Sequence, residues 1–294
     1  MSPRQEITLL SVKREEQMEC QVKDITVYYE EIGSGRALVA LHGAPLDHRH
    51  ILNDLEPLFV NRAGWRRIYP DLPGMGKTRA ADWITHQDHM LDIILEFIDT
   101  IAPEERFVIV GTSYGGYLAR GVVYRKGAQI DGMFINVPVI EADESKAELP
   151  QPKVVKEDAE FLAALGPDEQ NMRDFIVAQS PELLQEFRQW FSPAGALADH
   201  AFLERLEKNN SFNFNVDLLS EPFLAPSLIL TGRHDNWCGY RDAYKLLDNY
   251  PRATYVVLDR AGHALAIEQK ALFRALAGEW LDRVEEYSLM KTSQ

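Results

Sequence analysis

Apolar positions open the chain in two short β-type stretches, residues 19–22 and 25–29, and Gly33, Ser34 and Gly35 mark a turn before the next apolar stretch. These stretches predict an antiparallel edge. From Ala37 onward, short, mainly apolar stretches (37–41, 65–70, 107–110 and 133–139) alternate with stretches of helical period (51–59, 89–101 and 114–124). Unbroken apolar strands bounded by helices are what a parallel sheet covered on both faces requires. The expected class is therefore α/β, a mostly parallel, doubly wound sheet with an antiparallel N-terminal edge.

The alternation stops after Val139. Residues 140–226 carry seven of the fifteen prolines, at 150, 152, 167, 181, 193, 222 and 226, with helix-like pieces at 159–165, 172–179, 181–190 and 201–208. This reads as an inserted helical cap. The first pattern then resumes with a strand at 228–230, a helix over 240–250, a strand at 255–258 and a closing amphipathic helix from Ala266 to about Tyr287. The expected organisation is a core of residues 1–139 and 227–294 with the cap, 140–226, inserted; there is no internal repeat.

Composition narrows the function classes. The chain has 294 residues, 46% hydrophobic and 26% charged, which excludes a disordered or collagen-like protein. Lys plus Arg number 31 against 45 Asp plus Glu, a net charge of −14 that suits neither a nucleic-acid backbone nor an anionic membrane. A small-molecule substrate is the expected partner, with no nucleic acid and no membrane, and the sequence gives no sign of oligomeric state. Only Cys20 and Cys238 are present, too few for a disulfide framework and consistent with a reducing compartment. Residues 1–21 mix Arg4, Glu6, Lys13, Arg14, Glu15 and Glu16 without an apolar signal core. No apolar stretch approaches the ~18 residues of a membrane span, so the expected location is cytoplasmic.

The sharpest chemical signal is Gly111-Thr112-Ser113-Tyr114-Gly115-Gly116, between an apolar strand and a helix. A nucleophile on a tight strand-to-helix turn needs glycines on either side, where a Cβ would clash, and it projects its hydroxyl above the strand ends. Ser113 is the candidate nucleophile, close to a helix N-terminus whose free N–H groups favour an oxyanion.

With His42-Gly43-Ala44-Pro45 directly after the strand at 37–41, the sequence resembles the α/β-hydrolase superfamily, in its cap-bearing serine hydrolase branch, from about Ile25 to Tyr287. The resemblance implies an oxyanion hole from the backbone N–H groups of Ala44 and Tyr114. It also implies a charge-stabilising acid at Asp235, in Thr231-Gly232-Arg233-His234-Asp235, and a general base at His263, in Asp259-Arg260-Ala261-Gly262-His263. Glu141 and Asp143, after the preceding strand, are the alternative acids. The order Ser, Asp, His is that of the family. His48, His50, His86, His89, His200 and His234 read as ordinary surface histidines.

The resemblance thus implies a serine hydrolase of the carboxylesterase kind, working through an acyl-enzyme intermediate without a cofactor or metal. Prolyl aminopeptidases usually carry His-Gly-Gly-Pro-Gly and a tryptophan after the serine, and this chain departs from them at Ala44, Leu46 and Tyr114. A carbon-carbon bond hydrolase would use the same triad, and a non-catalytic ligand receptor on the same scaffold is the alternative of another class. The haloalkane dehalogenase and epoxide hydrolase branches are associated with aspartate where Ser113 stands.

Several other groups read as structural. Asp71-Leu72-Pro73-Gly74-Met75-Gly76-Lys77-Thr78 holds Gly-Lys-Thr, but a phosphate-binding loop needs glycine at Asp71, and the resemblance explains the segment as a turn lining one side of the pocket. Asp47, His48 and His50 lack further metal ligands at characteristic spacing, and Asp47 reads as a helix N-cap. Cys238 lies near the acid without an assigned base. The cap aromatics Phe161, Phe175, Phe187, Trp190, Phe191, Phe202, Phe212 and Phe214 read mainly as core, with some facing substrate. Glu141, Asp143, Glu144, Glu148, Glu157, Asp158 and Glu160 read as a solvated face, the other reading being a seat for a substrate ammonium.

Overall fold

The structure, a computed structural model, describes residues 16–143 and 145–292. The charged positions Arg4, Glu6, Lys13, Arg14 and Glu15, and Glu144 of the acidic stretch, lie outside the described residues. Among the described residues, eight strands form one sheet: β1 (Glu16–Val22), β2 (Ile25–Gly33), β3 (Arg36–Leu41), β4 (Trp65–Pro70), β5 (Phe107–Thr112), β6 (Ile130–Asn136), β7 (Ser227–Gly232) and β8 (Ala253–Leu258). Their order is β1-β2-β4-β3-β5-β6-β7-β8. The pairs β1–β2 and β2–β4 are antiparallel, and every pair from β4–β3 to β7–β8 is parallel.

The unbroken apolar strands follow from burial on both faces. Ala37, Val39 and Leu41 of β3 face one core layer, with Phe107 and Ile109 of β5, under α2 (Gln87–Ile101) and α3 (Tyr114–Lys126). Leu38, Ala40, Val108 and Val110 face the other layer, under α1 (His48–Leu55) and the C-terminal helix α11 (Lys270–Thr292), which contributes Phe273, Trp280 and Val284. Side chains two residues apart share a face, so a strand covered twice must be apolar at every position. Glycine at 132 lets α11 close on the sheet, because a Cβ there would stand 2.5 Å from Val284.

Between β6 and β7 the described residues form five short α-helices: α4 (Ala159–Ala164), α5 (Met172–Phe175), α6 (Pro181–Glu186), α7 (Ser192–Gly195) and α8 (His200–Glu207). Asp158, Ser180 and Asp199 cap α4, α6 and α8 by accepting the amides of Phe161, Leu183 and Phe202. The predicted helix over 172–179 ends at Phe175, and α6 passes into a π-turn over Phe187–Phe191. After β7 the predicted helix over 240–250 divides into α9 (Arg241–Tyr244) and a 3-10 turn, Lys245–Asp248. The predicted closing helix is likewise two, α10 (Leu265–Glu268) and α11, parted at Gln269. No helix among the described residues is long and apolar enough to cross a membrane.

Candidate active site

From β3 the chain goes to β4 on one side, while β5 lies on the other, so the loops leaving β3 and β5 diverge and open a crevice at their C-terminal ends. Ser113 stands there, between β5 and α3, with φ +54°. That left-handed conformation is costly for a residue with a Cβ and is held by its surroundings. Ser113 N donates to Asn136 O, and Ser113 O accepts from the amides of Gly116 and Val139. Gly111 and Gly115 make the turn possible. A Cβ on Gly115 would lie 2.1 Å from the Leu41 carbonyl oxygen, and one on Gly111 2.3 Å from that of Gly115.

The loops after β7 and β8 bring two more side chains to this point. His263 Nε2 lies 3.0 Å from Ser113 Oγ, and His263 Nδ1 lies 3.0 Å from Asp235 Oδ2. Asp235 is fully buried, and its other oxygen accepts the amides of Trp237, at 3.0 Å, and Cys238, at 3.1 Å. These bonds fix the carboxylate, which accepts from His263 Nδ1 and leaves Nε2 facing Ser113 Oγ. Burial opposes protonation of His263, but the Asp235 carboxylate overrides it and holds the imidazole well above its ordinary value. Of the alternative acids, Asp143 engages Ser145 and Lys146, and Glu141 accepts the amide of Asp143.

The amides of Ala44 and Tyr114 have no hydrogen-bond partner among the described residues. For Tyr114 this follows from its place in the first turn of α3, where N–H groups have no acceptor within the helix. The loop that carries Ala44 is braced from behind. His42 Nε2 accepts the amide of Leu72, and Asp71 accepts from the amide and Nδ1 of His48 and from the amide of Lys77. Thus residues 71–78 line neither cavity beside Ser113; the turn expected to form a pocket wall buttresses the loop that does.

One further expectation is corrected. His48 and His50 are buried, 5% and 6% exposed, rather than surface histidines. Burial opposes protonation of His48, but Asp71 and Glu30 raise it to about 9. His48 gathers with Asp47 and Asp71 within 4.8 Å, yet a protonated imidazole is no metal ligand, and Asp47 is committed to Arg49. Cys238, left without a base in the sequence, sits with His263 and Asp235 in another such cluster. Burial pushes its thiol up, away from the nucleophilic thiolate.

Two cavities flank Ser113 and share Ala44, Pro45 and Trp237. One, of about 270 Å³, is walled by Leu46, Met172, Phe175, Phe187, Phe191 and Ile267. The other, about 450 Å³, is more polar, with Tyr114, Tyr117, Glu141, Glu204 and Glu207. Of the aromatics between β6 and β7, Phe175, Phe187 and Phe191 therefore reach the site, while Phe161 and Phe202 are buried in core and Phe212 stacks on Tyr117. Glu148, Glu157 and Glu160 are exposed as expected, and Asp158 is a helix cap.

Sequence reasoning missed Trp237, whose ring stands 5.0 Å from that of His263, and Glu268. Glu268 accepts the amides of Val177, Ala178 and Gly262, joining the His263 loop to the segment between β6 and β7. The spacing of Glu268 from His263 carries no motif.

Comparison with known proteins agrees with this architecture. Residues 38–276 match the sequence model of the alpha/beta hydrolase family. The chain is 25% identical over 266 residues to the AB hydrolase superfamily protein YisY of Bacillus subtilis (strain 168), covering 87% of this chain and 95% of that protein. It is 22% identical over 259 residues to a pimeloyl-(acyl-carrier protein) methyl ester esterase of Legionella pneumophila (strain Paris), covering 87% and 100%. A crystal structure of an alpha/beta superfamily hydrolase from Oenococcus oeni PSU-1 superposes with a TM-score of 0.83 at 30% identity, covering 91% of this chain and 99% of that one.

Proposed function

The chain belongs to the alpha/beta hydrolase family, and on that premise we propose that it is a serine hydrolase cleaving a small ester through an acyl-enzyme intermediate. The observation that carries this reading is the line from Ser113 Oγ through His263 to Asp235, each step 3.0 Å, at the mouth of an apolar cavity. Ser113 Oγ bonds to the ester carbonyl carbon as His263 Nε2 takes its proton. The N–H groups of Ala44 and Tyr114 receive the oxyanion. Collapse expels the alcohol, which takes the proton from His263. Water then attacks the acyl-enzyme with its proton passing to His263, and the acid leaves as Ser113 regains its hydrogen. No step needs a metal or cofactor. Residues 140–226 act as a cap whose aromatics exclude water from the acyl group, and the methyl ester esterase named among the relatives fits an acyl substrate of this kind.

A second reading, an aminopeptidase, draws on Glu141, Glu204 and Glu207 in the more polar cavity. An ammonium enclosed near Ser113 needs such carboxylates to offset several kcal/mol of desolvation. The deciding experiment compares kcat/KM for a short-chain aryl ester, a free-amine alanyl or prolyl arylamide and its N-acetyl form. Preference for the aryl ester, lost in Ser113→Ala, supports the esterase. Preference for the free amine, lost in Glu204→Gln with Glu207→Gln, replaces it with the aminopeptidase.

A further inference from the structure

We propose that His48 is a positioning residue for the oxyanion hole: its imidazolium, clamped between the Asp71 and Glu30 carboxylates, holds the loop that presents the Ala44 N–H, and the loop loosens when that charge is lost. The inference rests on the serine-hydrolase reading and adds to it a second titrating histidine, which lines neither cavity beside Ser113.

Both ring nitrogens of His48 face a carboxylate. Nδ1 lies 2.7 Å from Asp71 Oδ1 and Nε2 lies 3.4 Å from Glu30 Oε2, and all three side chains are buried. A carboxylate only accepts, so a neutral imidazole, with one N–H, would turn a lone pair on one of the two. Only the doubly protonated ring answers both. Glu30 makes no other ion pair among the described residues, and its Oε1 has no hydrogen bond. The remaining neighbours leave the charge on His48. Asp47, the N-cap of α1, is a third carboxylate nearby and is paired with Arg49. Burial lowers His42, which accepts the Leu72 amide on Nε2 as a neutral ring. The Tyr28 ring stands 5.4 Å from that of His48, and the Lys77 ammonium lies 4.2 Å from the centre of the Tyr28 ring.

Asp71 carries the clamp to the loop. Its Oδ1 accepts both the amide and the Nδ1–H of His48, and its Oδ2 accepts the Lys77 amide. Its own amide donates to the Tyr28 carbonyl in β2, and a Cβ on Gly76 would lie 2.3 Å from its Cγ, so glycine there lets the turn close on the carboxylate. Gly76-Lys77-Thr78, which imitates a phosphate-binding loop in the sequence, is thus the seat of Asp71. Residues 71 and 72 hold the oxyanion loop at both ends, through His48 and through His42. Between these ends Leu46 N donates to Gly43 O, a turn too tight for His48 to shift without moving Ala44. Deprotonation of His48 sets a lone pair against a buried carboxylate, and an uncompensated buried charge is strongly destabilising. The start of α1 must then move. The Ala44 N–H acts on the oxyanion rather than on the bound ester, so the loss falls on kcat and not on KM.

The test measures kcat and KM for an aryl ester, corrected for spontaneous hydrolysis, across a pH series, with near-UV circular dichroism at each pH. The native profile should be a bell, with its acid limb from His263. On its alkaline limb, near pH 9, kcat should fall about tenfold or more while KM changes little. Glu30→Gln removes one of the two anions facing the ring, so the alkaline limb should move to lower pH by about one unit or more while the acid limb stays. His48→Gln, which carries no charge, should lower kcat about tenfold or more at neutral pH and show no alkaline limb. If His48→Gln does not fold, Glu30→Gln decides alone, because a role in stability only would lower its unfolding midpoint and leave the limb in place.

A native profile without an alkaline limb up to about pH 10 overturns the inference and leaves the esterase reading standing. So does a limb carried by KM, one that coincides with loss of the near-UV signal, or one that stays in place in Glu30→Gln. Native protein that neither labels with a fluorophosphonate nor cleaves any ester at any pH removes the hydrolase reading, and this inference with it.

Discussion

Replacing Glu268 by glutamine tests whether the His263 loop is held from the segment between β6 and β7. The carboxylate accepts three amides: Val177 at 2.6 Å and Ala178 at 3.1 Å on one oxygen, and Gly262 at 2.6 Å on the other. Burial pushes this carboxyl up, and the three amides oppose the push. Glutamine can keep one acceptor, best placed toward Val177 and Ala178, and must then turn its NH₂ toward the Gly262 N–H. One bond to a charged acceptor is lost and one amide left unpaired, about 2–3 kcal/mol in all. At roughly 2–4 °C per kcal/mol for a chain of this size, the unfolding midpoint should fall by about 4–12 °C. Gly262 precedes the imidazole, so kcat for an aryl ester should fall about tenfold or more, given that 1 Å of misplacement can cost about 10²-fold. Thermal unfolding and steady-state hydrolysis measure both. A midpoint within 2 °C of the native value with unchanged kcat refutes the bracing role.

Asp235→Asn should lower turnover by on the order of 10⁴ through the wrong imidazole tautomer, while Asp143→Asn leaves it within about twofold; the reverse pattern would move the acid to the loop after β6. Because Asp235 raises His263 and only the neutral imidazole accepts the Ser113 proton, activity should fall on acidification with a limb above the ordinary value of about 6.5. In Asp235→Asn the carboxylate is gone and burial remains, so the residual activity should show that limb at lower pH; a pH-rate profile with an unmoved limb counts against His263 as base. The raised value also means that protonated His263 stabilises the fold, fully below its unfolded value and progressively less as pH rises through the folded one. Gly115→Ala forces α3 away from the Leu41 carbonyl and carries the Tyr114 N–H with it, so kcat should drop about 10²-fold; activity within twofold would show that the turn tolerates the shift.

The strands of the parallel sheet were legible because burial on two faces leaves an unmistakable apolar signature. The turn at Ser113 was legible because its strain demands glycine at fixed offsets. Helix ends were less so. The helix-like stretch 172–179 reads as one helix, yet the chain turns extended after Phe175, and the Val177 and Ala178 amides find their acceptor on Glu268, far along the chain. The stretch from Ala266 to Tyr287 reads as one helix because the break at Gln269 replaces no apolar position. His50 falls one helical turn past Asp47 with nothing local to distinguish it from a surface histidine. Only packing under Phe191 reveals it, as only the fold brings Cys238 and Trp237 to His263.

The most direct measurement is peptide mapping after reaction with a fluorophosphonate, because the site holds two potential nucleophiles, the Ser113 hydroxyl and the Cys238 thiol. On the proposed mechanism, a neutral, buried thiol does not compete with a serine whose proton passes to His263. One phosphonyl group on Ser113 is the predicted product, with both labelling and ester hydrolysis abolished in Ser113→Ala and labelling kept in Cys238→Ala. A label on Cys238, or labelling that persists in Ser113→Ala, would contradict Ser113 as the nucleophile.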